Sequence, residues 1–145
     1  MESNAGLFGQ NVLLVEGDRQ FRESLFYFFR ILGCTVRVAG NAAEAKSAME
    51  VQHFDLIISD YLLPDGNGIR LLQSSVPCQK EAIRILTTAY SSDRCPIREE
   101  LTGIDEIVRK PFTGPELGNL VGRYVGRLSR EGTTWDAEPV LGPQR

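Results

Sequence analysis

Apolar runs of four to six residues recur along the chain, separated by stretches whose apolar residues return every three or four positions. Runs this short, rich in Val, Ile and Leu, predict strands buried on both faces, and the helical spacing between them predicts crossover helices. Strands are expected at 11–15, 35–39, 55–59, 82–87 and 106–109. Alternation of these five strands with five helices makes an α/β chain with a parallel sheet wrapped by helices.

The first helix is expected to start at Asp18, whose carboxylate can cap exposed N–H groups, and to stop at Gly33, which suits a left-handed terminal residue. Its inward stripe reads Phe21, Leu25, Phe28 and Leu32, leaving Phe26 and Tyr27 off that stripe as a partly covered or partner-docking pair. Asn41 and Glu44 mark the start of a second helix that turns Ala42, Ala45 and Met49 inward. A short third helix follows Gly68. The fourth is expected at about 93–101, with Pro96 in its first turn. Thr113 and Glu116 cap the fifth, with a stripe of Leu117, Val121, Tyr124 and Leu128. Gly118, Gly122 and Gly126 cost that helix roughly 3 kcal/mol relative to alanine, so packing rather than propensity must hold it. They predict either a weak helix or a seam of small residues under a close neighbour. The chain divides into an extension at 1–9, one domain at 10–129 and a tail or severed linker at 130–145, where Trp135 is the one anchor candidate.

The 145 residues, 42% of them hydrophobic, can bury one sizeable core. A net charge of -3 with scattered Arg and Lys leaves no footprint for nucleic acid or an anionic membrane. Cys34, Cys78 and Cys95 are odd in number and far apart, which reads as buried thiols rather than a zinc or redox motif. No basic leader precedes an apolar stretch, and no apolar run approaches a bilayer's span. A cytoplasmic protein is expected. His53, in the loop before the third strand, reads as a solvent-facing side chain.

Polar residues collect at the carboxyl ends of the predicted strands: Glu16-Gly17-Asp18 after the first, Asp60 after the third, Thr87-Thr88 at the fourth and Lys110 after the fifth. In an open parallel sheet ligands bind beyond those ends, where the winding direction reverses. Glu16, Asp18 and Asp60 then bring three carboxylates together, an oxygen-only set suited to a hard cation such as Mg²⁺, with Lys110 offsetting one charge. An Asp carboxylate can also act as a nucleophile toward phosphorus, with Thr88 and Lys110 donating to the transferring oxygens. Each residue alone is an ordinary cap, turn former or solvated lysine; their joint placement is specific.

The segments VLLVEGD at 12–18, DLIISDYLLPDGNG at 55–68, ILTTAY at 85–90 and VRKPF at 108–112 resemble the bacterial response-regulator receiver family over about residues 10–129. The resemblance implies a flavodoxin-like (βα)5 fold, with α/β/α layers and strand order 2-1-3-4-5. It implies Asp60 as phosphoacceptor, Thr88 as switch hydroxyl and Lys110 as the phosphate-contacting lysine before a cis Pro111. It further implies a Mg²⁺ site from Glu16, Asp60 and the Tyr61 backbone carbonyl. Expected partners are a histidine kinase or histidine phosphotransfer protein, and a second copy through the fourth helix, fifth strand and fifth helix.

Two positions depart from the family. Gly17 stands where a second acid normally binds the metal, so Mg²⁺ is expected to bind weakly unless Asp18 substitutes or water fills the position. Ile107 replaces the aromatic partner of the switch hydroxyl. The leading expectation is a phosphorylation-dependent signalling module rather than a turnover enzyme, and the alternative is a phosphorylation-independent pseudo-receiver that binds proteins. A dehalogenase-type aspartyl phosphatase would need an Asp where Leu62 stands. An FMN carrier would need a hydroxyl- and glycine-rich loop where Glu16-Gly17-Asp18-Arg19 lies.

Overall fold

The protein is described by a computed structural model covering residues 7–90 and 100–131, with 125–131 as backbone only. The sheet strands are β1 (Asn11–Val15), β2 (Thr35–Ala39), β3 (Leu56–Asp60), β6 (Ile83–Thr88) and β7 (Glu106–Arg109). All neighbours pair in parallel, in the order β2-β1-β3-β6-β7. This is the expected doubly wound, flavodoxin-like order 2-1-3-4-5, counted over the sheet strands. A two-residue ribbon, β4 (Leu62–Leu63) with β5 (Gly66–Asn67), closes the loop after β3 and was not foreseen. The helices are α1 (Arg19–Ile31), α2 (Ala42–Val51), α3 (Gly68–Ser74) and α4 (Gly114–Glu131). The helix expected at 93–101 falls mostly outside the described residues, as do Cys95, Trp135 and the Leu128 side chain.

Alternation along each strand divides the core into two layers. Val12, Leu14, Ile58 and Ile85 pack with Leu25 and Phe29 of α1 and with Leu117 and Val121 of α4. Leu13, Val15, Ile57 and Leu86 pack with Ala45 and Met49 of α2 and with Ile69 and Leu72 of α3. Helices therefore cover both faces, and the polar strand ends emerge between the layers.

Local signals behave as their chemistry requires. Asp18 caps α1 by accepting the Gln20 N–H at 3.1 Å, and Gly33 ends it at φ 91°. Asn41 accepts from Glu44 N at 2.8 Å while Glu44 takes the Gly40 N–H at 2.7 Å. Thr113 and Glu116 form a reciprocal capping box. Helix α4 packs on α1, where a Cβ on Gly114 would lie 2.7 Å from Phe28. That is close approach at the first residue of α4.

Several expectations need correction. Phe29, not Phe28, is the fully buried aromatic of α1, while Phe28 sits at the layer's edge. Strand β3 begins and ends one residue later than expected. The Asp55 carboxylate is spent on the Asn11 N–H at 2.8 Å, and Asp60 stays in register with Thr87. Strand β6 likewise runs through Thr88, in register with Arg109. Leu7 of the presumed extension is wholly buried, held where Cys34 Sγ donates to its carbonyl. Cys78 is exposed, not buried. Tyr27 is exposed and Phe26 half-buried beneath Arg30. His53 is exposed, as expected.

Candidate functional site

The reversal of strand order lies between β1 and β3, and the acidic residues sit at the carboxyl ends of those two strands. Glu16 follows β1 with its backbone fixed from both sides: its N–H reaches Ala39 O at 3.0 Å, and its carbonyl accepts Arg22 Nη1 at 2.7 Å. Its carboxylate is 3% exposed. Asp60 ends β3, and the Tyr61 N–H is tied to Thr87 O at 2.7 Å. Lys110 follows β7, with its N–H on Thr88 O at 2.7 Å and a cis peptide to Pro111.

These three side chains meet. Lys110 Nζ lies 3.1 Å from Glu16 Oε1 and 3.1 Å from Asp60 Oδ2, so one ammonium bridges two carboxylates that are 94 and 50 residues away in sequence. Burial raises the Glu16 carboxyl above its ordinary pKa, and the Asp60 charge adds to this while the Asp18 N–H and Lys110 oppose it. Burial works against the Lys110 ammonium too, but Glu16 and Asp60 outweigh it and hold its pKa high. An isolated ion pair would move its acid down and its base up. Here both move up, because desolvation acts on Glu16 and because two carboxylates against one ammonium leave an excess negative charge.

The remaining candidates are placed as follows. Asp18 caps α1 with its carboxylate, and its N–H donates to Glu16 Oε2 at 3.0 Å. The Tyr61 carbonyl accepts the Gly68 N–H at 2.7 Å, which occupies one of its two lone pairs. Thr88 is 2% exposed, and its hydroxyl oxygen accepts from Tyr90 N at 3.1 Å. Ile107 is 37% exposed on β7, in register with Leu86. No group of three or more His, Cys, Asp or Glu side chains converges as a ready metal site among the described residues.

Sequence reasoning missed the residues that support this site. Arg22 clamps Glu16, the Phe21 ring lies beneath Lys110, and Asp65 docks the ribbon onto α2 through Ala42 N at 2.7 Å and Ala43 N at 3.0 Å. Two backbone bonds hold the exposed Asp65 carboxyl below its ordinary pKa. Gly68 is required where it stands: a Cβ there would lie 2.1 Å from Asp60 O. Of these, only Asp65 and Gly68 carried a local signal, as members of the turn sequence PDGNG.

A sequence model described as the response regulator receiver domain matches residues 12–121. The chain belongs to that family. This receiver domain is 32% identical over 115 residues to the transcriptional activator protein PfeR of Pseudomonas aeruginosa, covering 79% of the chain but 37% of PfeR. The chain thus spans little more than a third of that relative. Among solved structures, it superposes on a CheY-like receiver domain protein from Methanospirillum hungatei JF-1 with a TM-score of 0.76. That match has 24% identity and covers 86% of this chain and 99% of the other. It also superposes on the response regulator protein TrrA from Thermotoga maritima, solved in complex with Mg(2+)-BeF. There the TM-score is 0.68 at 29% identity, covering 79% and 97%. Receiver domains are signalling modules. No helix among the described residues is long and apolar enough to cross a membrane.

Proposed function

We propose that this receiver takes a phosphoryl group on Asp60 from a histidine kinase or histidine phosphotransfer protein of the cytoplasm, as a step in phosphorelay signalling. The observation that carries the reading is the Lys110 ammonium 3.1 Å from both Asp60 and Glu16, at the reversal of strand order. An Asp60 oxygen forms the new P–O bond as the donor's bond to phosphorus breaks, and the donor leaves with that electron pair. Lys110 then faces the phosphoryl oxygens, with Thr88 as the further donor once its hydroxyl turns toward them.

The residues fit a hard divalent cation in donor type and in charge. Glu16 and Asp60 supply carboxylates with an excess negative charge, and the Tyr61 carbonyl is the third member of an all-oxygen set. They fall one carboxylate short, because Gly17 offers none and Asp18 is engaged as a cap. Water fills such a position readily on Mg²⁺. When bound, the ion would neutralise charge on the transferring oxygens, and TrrA, solved with Mg(2+)-BeF, supports this reading.

Mass gain of one phosphoryl group on acetyl phosphate treatment, lost in Asp60→Asn, is the expected result. Undiminished labelling of Asp60→Asn overturns the assignment. A second reading, a protein-binding pseudo-receiver, is favoured by Gly17 and by Ile107, which has no ring to swing toward Thr88. Absence of labelling in the presence of Mg²⁺, with an intact fold, selects it.

A further inference from the structure

Two carboxylates are not the only groups that hold Lys110. Its ammonium lies 4.9 Å from the centroid of the Phe21 ring, within the distance at which a ring face attracts a cation. The ring is itself fixed. Phe112 meets it at 5.2 Å between centroids and 63° between planes, and both rings pack on the core layer beneath α1. Phe21 lies in the first turn of α1, just after the Glu16 segment, and Phe112 lies two residues beyond Lys110. The ring pair thus joins the chain segments that carry the acid and the lysine.

A lysine stem is flexible, and its ammonium takes its place from whatever surrounds it. In this site the carboxylates cannot be the only guides, because an entering cation or phosphoryl group competes for both of them. The ring face stays available throughout. We propose that Phe21 is a positioning residue, whose ring holds the Lys110 ammonium beside Asp60 while the carboxylates change partners, and that Phe112 keeps the ring in place. This rests on the reading of Asp60 as phosphoacceptor.

A purely structural Phe21 would be replaced adequately by another apolar side chain, whereas the ammonium needs an aromatic face. Phe21→Leu removes the face, and Phe21→Tyr keeps it. The full chain is treated with acetyl phosphate and Mg²⁺, and labelling rates are read by intact mass for wild type, Phe21→Leu, Phe21→Tyr and Asp60→Asn. Thermal unfolding checks the fold. Loss of the face should slow labelling about 3- to 10-fold, the scale of a partly desolvated cation–π contact, while Phe21→Tyr stays within about twofold of wild type. Proton NMR of the Lys110 ε-methylene gives a readout independent of phosphorylation: its ring-current shift should be present in wild type and Phe21→Tyr and absent in Phe21→Leu. Wild-type labelling by Phe21→Leu, or equal slowing in both variants, overturns the proposal. Failure of wild type to label refutes the acceptor reading and the catalytic purpose with it, and the ring-current shift then still decides whether Phe21 holds the lysine.

Discussion

Restoring an acid at Gly17 should make the fold weaker without magnesium and stronger with it. A Cβ built on Gly17 meets Pro64 Cδ at 3.5 Å, Pro64 Cγ at 3.7 Å and Gly40 O at 3.8 Å, all ordinary contacts. Its φ lies outside the left-handed region, so Gly17→Asp meets neither strain nor overpacking. Replacing a glycine at such a position even contributes about 0.4–1 kcal/mol through the unfolded chain. The electrostatic term opposes this. A third carboxylate about 6 Å from the others, at an effective dielectric of about 20, costs roughly 2–3 kcal/mol against each of the two, and Lys110 at a similar distance returns about one such interaction, leaving roughly 2–3 kcal/mol net. The variant without metal should therefore be about 1–2 kcal/mol less stable, or some 3–8 °C lower in melting temperature for a domain of this size. With Mg²⁺, a ligand gained should tighten binding at least about 10–100-fold, the scale known for outer-shell partners. That is about 1.4–2.8 kcal/mol at saturating metal, enough to erase or reverse the deficit. Thermal unfolding across a Mg²⁺ titration, for wild type, Gly17→Asp and Asp18→Ala, reads all of this. A Gly17→Asp protein that melts no lower in chelator and responds no more steeply to Mg²⁺ refutes the reasoning. Tight wild-type binding that collapses in Asp18→Ala would show that Asp18 leaves its cap, a loss of only about 1 kcal/mol, to take the missing position.

Phe29→Ala should destabilise the domain by about 3–5 kcal/mol, since the ring is wholly buried; denaturant unfolding checks it, and a loss below that of Phe28→Ala would contradict the layer assignment. Gly68→Ala forces a Cβ to 2.1 Å from Asp60 O. It should cost at least about 1–3 kcal/mol and slow Asp60 labelling, whereas wild-type values for both would show that the turn accommodates a side chain. Asp65→Asn should weaken the fold at neutral pH, because the carboxylate on Ala42 and Ala43 is held ionised in the folded state. That stability is present above the ordinary aspartate value of 3.8 and is lost as pH falls through the lower folded value. Stability curves of wild type and Asp65→Asn should therefore converge in acid, and a constant gap would contradict the cause.

Much of the architecture was legible because periodicity and capping are local. Strands β1, β2 and β7 lie where apolar runs place them, and Asp18, Asn41 and Thr113 cap the helices they precede. What escaped depends on tertiary partners. Phe28 and Phe29 are neighbours on one helical turn, and tertiary packing encloses Phe29 while Phe28 lies against the start of α4. Arg84 sits inside the apolar run of β6 and is 5% exposed. It donates to the Ser75 hydroxyl at 2.8 Å and to the Ala82 carbonyl at 2.9 Å, and a further bond goes to the Gln79 carbonyl. Burial lowers its pKa, with Asp105 opposing. Nothing in the run itself signals those carbonyls. The site divides in the same way. Glu16, Asp60 and Lys110 could be grouped because their strand ends lie side by side, while Arg22 and Phe21 sit on α1, where Phe21 read only as a member of the inward stripe. Asp18 shows the reverse: counted among the carboxylates, it is engaged by the helix it begins.

The most direct test of the account is site-resolved phosphorylation of the full chain. After treatment with acetyl phosphate and Mg²⁺, intact mass and peptide mapping should place a single phosphoryl group on Asp60, with no gain in Asp60→Asn and a slower gain in Lys110→Ala. Labelling that persists in Asp60→Asn, or a folded wild type that gains no phosphoryl group at saturating Mg²⁺, would contradict it.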